Sequence, residues 1–229
     1  HMIHNNLDRD EVTWVNEGCS QIAPVFCGFR PPGHYKLLKD DPDRSLNNWA
    51  KWNPMPDYGQ VYLWNQFIVD HCLPDAASRS GFFKTLVASK KKSIGGYINA
   101  LNGINRSFSD TFTDFSIANR INDPRLAKGR YAYTQSALKK FRLPPTKHVK
   151  TFPQKVSDSV YVWGSDSIFA DISNVASRLK ISFSGYRRSI GSTQPYFRLA
   201  AILQDSTGIQ PPKITFFNLD VNPADKNRL

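Results

Sequence analysis

Apolar residues recur at intervals of three and four from Asp8 to about Phe26, where Val12, Val15, Cys19, Ile22 and Phe26 make one stripe. That period predicts an amphipathic helix, capped by Asp8 or Asp10 and carrying acids in its first turn. Pro24 removes an amide and bends or ends the last turn. Cys19 lies on the stripe and reads as core, while Glu17 lies nearly opposite it, toward water or a second packing surface. Residues 30–57, with prolines at 31, 32, 42, 54 and 56, read as a long loop. Helices then follow over 57–71, with Val61, Trp64 and Ile68 inward, and over 75–91, with Phe82, Phe83, Leu86 and Val87 inward. A further helix over 93–101 is stopped by Gly103, and another is opened by Ser107 and Asp110 as a capping box and closed by Asp123-Pro124. His71 sits at the end of its helix as a packing or surface residue.

Past about Pro153 the period changes to two. Strands are expected over 159–163, 167–172, 179–184, 196–203 and 213–218, with Gly164, Gly185, Gly191 and Gly208 supplying turns. The fold class is therefore α+β: a helical region over 1–150, then a small antiparallel β-sandwich or jelly-roll-like domain over 151–229.

Composition narrows the function classes. Hydrophobic residues are 40% and aromatics 13% of the 229, which is ordinary globular usage. No stretch has the roughly 18 consecutive apolar residues of a membrane span. The net charge of +11 and pI near 9.6 raise a nucleic-acid partner, but the charge is dispersed. Its only compact runs, Lys90 to Lys92 and Lys139-Lys140, read as solvated faces, so no nucleic-acid partner is expected. Cys19, Cys27 and Cys72 show no CxxC spacing, so neither a disulfide framework nor a cysteine metal site is indicated, although one bridge remains open.

The segment from His1 to Gly18 carries the candidate chemistry: His1-Met2-Ile3-His4, then Thr13-Trp14-Val15-Asn16-Glu17-Gly18. It resembles the bacterial gluzincin metallopeptidases of the hyicolysin type, in which an H-E-x-x-H helix continues as H-M-I-H or similar and reaches T-W-x-N-E-G. The resemblance implies that His1 is the second zinc histidine and Glu17 the third ligand, with the first histidine and the general-base glutamate upstream. His-Met is also the scar of a cleaved affinity tag, but Met2-Ile3-His4 continues the family pattern. The resemblance extends to Tyr58-Gly59 at a helix start, to Gly95–Leu101 and to the phenylalanine-rich Phe108–Asn119. Cys19 and Gln21 depart from the pattern, which has a leucine and an acid there, so the support of Glu17 differs.

Such a family implies Zn2+ as cofactor, a zincin-like catalytic domain, a peptide or protein substrate, and secretion or a place in the cell envelope. A bound zinc needs three protein donors and an open position for water. Tyr58 and Tyr62 are candidates to donate to the developing oxyanion, because their helix should follow the metal helix in space. Without the upstream residues the chain is expected to be inactive alone. The rival reading is a non-catalytic cell-envelope protein on a degenerate peptidase scaffold. Its β-domain would contact cell wall, polysaccharide or protein through aromatics such as Tyr161, Trp163, Tyr186 and Tyr196. His4 reads as a packing or surface histidine.

Overall fold

The computed structural model describes residues 1–173, 180–183, 197–205, 207 and 209–219. The chain divides into two compact units, His1–Lys147 with Val156–Ile168, and His148–Lys155 with Phe169–Leu229. The fold is α+β, with six α-helices and two two-stranded sheets among the described residues.

In the first unit the helices are α1 (Met2–Leu7), α2 (Thr13–Phe26), α3 (Met55–Cys72), α4 (Ala76–Val87), α5 (Ile94–Asn102) and α6 (Phe108–Ile121). The start of α2 differs from the expectation of a helix running from Asp8. Asp8 instead ends α1, its amide donating to the His4 carbonyl at 2.7 Å, and Val12 is the N-cap of α2. The cause is Glu11. Its Oε1 accepts the amide of Val12 at 2.7 Å and that of Ser93, 82 positions away, at 2.9 Å. One carboxylate thereby satisfies an amide at the start of α2 and another just before α5. Ser93 sits at φ +57°, and its hydroxyl accepts the Trp14 indole N–H at 3.0 Å.

The buried face of α2 is Trp14, Val15, Gly18 and Ile22, whereas Val12 and Phe26 at the ends of the predicted stripe are exposed. Gly18 is required by a close approach: a Cβ there would stand 2.7 Å from Asn65 Nδ2 on α3. The α3 helix is buried nearly all round, as a central helix must be. At its middle Trp64, fully buried, meets Tyr97 at 5.8 Å, Phe108 at 5.2 Å and Phe115 at 5.4 Å between ring centroids. Asp75 and Ser78 form a reciprocal capping box at α4, and the Ser107 hydroxyl accepts the Asp110 amide at α6.

The expected loop over 30–57 carries a 3-10 helix at Gly33–Lys39, which buries Tyr35 and Leu38. It comes so close to α3 that a Cβ on Gly59 would lie 2.5 Å from the His34 carbonyl oxygen. The strand expected over 159–163 does not form. The Ser45 hydroxyl donates to the Val162 carbonyl, the Leu46 amide to the Trp163 carbonyl, and the Trp163 ring packs edge-on against Phe108 and Phe112. Contacts within the helical unit thus take the segment before a ladder can.

Strands β1 (Lys147–Val149) and β2 (Ile168–Ala170) pair with each other. In the second unit β3 (Phe197–Leu203) pairs antiparallel with β4 (Lys213–Leu219), in register from Phe197 with Leu219 to Leu203 with Lys213. The strand expected over 179–184 lies partly outside the described residues, and 180–183 form no strand. Tyr186 and Tyr196 lie outside them too. No helix among the described residues is long and apolar enough to cross a membrane.

Candidate metal centre

The residue just before α1 and the middle of α2 come together. His1 Nε2 stands 3.2 Å from Glu17 Oε2, with side-chain exposures of 55% and 17%. At that separation the two groups pair directly with each other, and the spacing is also near the roughly 3.4 Å that separates two donors on a tetrahedral ion with bonds of about 2.1 Å. Burial raises the Glu17 carboxyl above its usual range. Tyr58, on the first turn of α3, belongs to the same neighbourhood. Its phenol is pushed up by burial and further by the Glu17 charge, so it stays protonated and able to donate.

Tyr58 is held by aromatic neighbours. Trp49 meets it edge-on at 4.9 Å and His34 lies 5.6 Å away. His34 Nδ1 in turn stands 3.3 Å from Gln21 Oε1, so Gln21, four residues along α2 from Glu17, holds a ring beside Tyr58. The tight approach at Gly59 is what lets the 3-10 helix deliver His34 there. Tyr62 is placed differently and does not serve as an oxyanion donor here. It is fully buried, its hydroxyl donates to Gln66 Oε1 at 3.3 Å on its own helix, and its ring lies near Tyr35. One helical turn beyond Tyr58, its side chain falls inside the core.

The cysteines are all described, and none forms a disulfide. Cys19 as a whole is partly exposed, yet its thiol is enclosed and pushed up to about 12 by burial. It is inert core. His71 is half-buried against Phe67, with Nε2 2.9 Å from the Ala132 carbonyl, and burial keeps it neutral.

A second cluster lies at the α1–α2 junction. His4, Asp8 and Glu11 are 3%, 5% and 7% exposed, and their ligand atoms lie within 4.8 Å of one another. Neither His4 ring nitrogen has a hydrogen-bond partner, nor have Asp8 Oδ2 and Glu11 Oε2. A buried polar group without a partner costs about 1–3 kcal/mol, so four in one place need a cause. Burial lowers the pKa of His4 against the pull of Glu11 and Asp8, which leaves a neutral imidazole, the form that binds metals. Lys92 pairs with Asp8 Oδ1.

Sequence reasoning misses this cluster because Asp8 and Glu11 pass as cap and first-turn acid of a single helix. The H-x3-D-x2-E spacing is the signal that could have found them, although only His4 lies within a helix and the break between α1 and α2 brings the two acids to it. No family model, curated protein or solved structure matches the chain.

Proposed function

We propose that this chain is part of a zinc-dependent endopeptidase, a zincin-like helical region in which His1 and Glu17 supply two of the three protein donors. The observation that carries the reading is the 3.2 Å approach of His1 Nε2 to Glu17 Oε2 from two separate helical segments. Bound zinc would supply a water of lowered pKa and would polarise the substrate carbonyl. Glu17 is oriented by the burial of Trp14 and Gly18 beside it on α2. Tyr58, kept protonated, donates a hydrogen bond to the oxygen on which negative charge develops. Trp49 and His34 fix the plane of its ring. The resemblance to the gluzincins also calls for a third donor and a general base from an H-E-x-x-H helix, and residues 1–229 hold no His-Glu pair. The β-rich second unit is assigned to substrate or cell-envelope contact outside the bacterial cell.

The test is elemental analysis and peptide cleavage on the natural polypeptide that contains these residues. Glu17→Gln should lower the zinc content by one ion per chain and abolish cleavage. Tyr58→Phe should keep the zinc and lower kcat by roughly 10²–10³ with KM little changed. Unchanged zinc and unchanged cleavage in Glu17→Gln would sink the reading, and the non-catalytic envelope protein would replace it.

A further inference from the structure

We propose that His4, Asp8 and Glu11 form a second metal site, separate from the His1–Glu17 pair, that takes a divalent transition ion of the zinc class. Each of the three residues is more than nine-tenths buried, and their ligand atoms lie within 4.8 Å of one another. One ion with bonds of about 2.0–2.2 Å, after a small inward shift of the donors, would satisfy an imidazole nitrogen, Asp8 Oδ2 and Glu11 Oε2, which have no partner among protein atoms.

The remaining oxygens are already committed. Glu11 Oε1 is fixed by the amides of Val12 and Ser93, whereas Asp8 Oδ1 pairs with Lys92, a counter-ion that an arriving cation would displace. Outer contacts such as those to Glu11 hold the donors of metal sites in place. Gly96, the third residue of α5, packs its Cα side beside Glu11 Oε2 and is held to glycine by the Lys91 carbonyl, which a Cβ would approach to 2.9 Å. The imidazole sets the class of ion, because hard cations such as calcium and magnesium prefer all-oxygen sets and zinc, cobalt or manganese accept a nitrogen. The two carboxylates supply the charge that would hold the ion, with Lys92 paired to Asp8 and Lys90 acting on it as well. Lys92 is 37% exposed, so its ammonium can withdraw to solvent as the ion arrives. Occupied, the site would tie α1 to the starts of α2 and α5.

The experiment uses the full chain carrying His1→Ala and Glu17→Gln, which removes the other pair. It is titrated with Zn2+ by calorimetry and with Co2+ by visible absorption. One ion per chain is expected, with a rise in Tm and Co2+ bands typical of nitrogen and oxygen donors. Adding His4→Gln or Glu11→Gln should weaken binding by more than about 10-fold. Lys92→Gln alters a partly exposed residue and leaves all three donors intact, so it should tighten binding. Absence of any bound ion in the double variant would overturn the proposal. So would Ca2+ competing as well as Zn2+, or affinity unmoved by all three substitutions. Failure of the His1–Glu17 reading shows separately, as equal zinc in the wild type and the double variant.

Discussion

Trp64 in α3 and Phe217 in β4 are both large aromatics in regular structure, and their surroundings differ in kind. Trp64 is fully buried and touches rings from α5 and α6, while Phe217 is 45% exposed, beside an equally exposed Phe216. A central helix can be enclosed on every side by its neighbours, and its stability comes from that enclosure. A two-stranded ribbon has two open faces, and such a pair is marginal by itself. Large apolar side chains therefore contribute in proportion to the layers around them and only weakly through the strand or helix that carries them.

The widest test of this contrast is Trp64→Ala. It should cost about 3–5 kcal/mol and lower the Tm of the helical unit by on the order of 10 °C in thermal unfolding. A loss below about 1 kcal/mol would end the picture of a central aromatic hub. Next is Asn65→Ala beside it. The Asn65 carbonyl accepts the Tyr97 hydroxyl at 2.9 Å and its amide donates to the Val61 carbonyl at 3.2 Å. Leaving the buried Tyr97 hydroxyl unpaired should cost about 1–3 kcal/mol, measured by urea titration.

A smaller effect, and one that depends on pH, comes from Asp166. Burial first, then Asp43 beside it, pushes its carboxyl up to about 7, and nearby Arg120, itself brought down to about 10 by burial, only partly offsets them. The folded chain keeps this proton up to about pH 7, while the unfolded chain loses it near pH 4. The contribution is complete below about pH 4 and disappears as the pH rises through 7. Asp166→Asn should raise the Tm by on the order of 2–4 °C at pH 8 and leave it unchanged at pH 3.5, the modest size reflecting solvent screening. A parallel offset at both pH values would contradict it. The least effect belongs to Phe217→Ser, which should stay within about 0.5 kcal/mol. A loss comparable to that of Trp64→Ala would erase the contrast.

The same division separates what was legible in the chain from what was not. The helices α4 to α6 follow from local apolar spacing, with Asp75 and Ser107 marking two of the starts, and α3 follows from an apolar run long enough for a central helix. The break between α1 and α2 does not, since Asp8 and Asp10 are good caps by themselves and only the Ser93 amide, 82 residues on, redirects Glu11. Likewise Tyr161, Val162 and Trp163 have strand-like composition, but Ser45, Leu46 and Phe108 claim their carbonyls and rings. At the site, His1 and Glu17 stand out through their motif and Tyr58 through its place after it. Tyr62 cannot be told from Tyr58 without knowing which face of α3 is covered. The His4 cluster is hidden for the opposite reason, as its residues resemble the polar side of an ordinary surface helix.

Gly59 sets a dimension. The backbone at His34 runs where a side chain at position 59 would begin, so the thickness of the wall beside Glu17 is fixed by a carbon that is not there. In a saturation library, this column should remain glycine through selection for folding alone, before any activity is screened. Variants that enlarged it would push the backbone at His34 and Tyr35 outward, away from the start of α3.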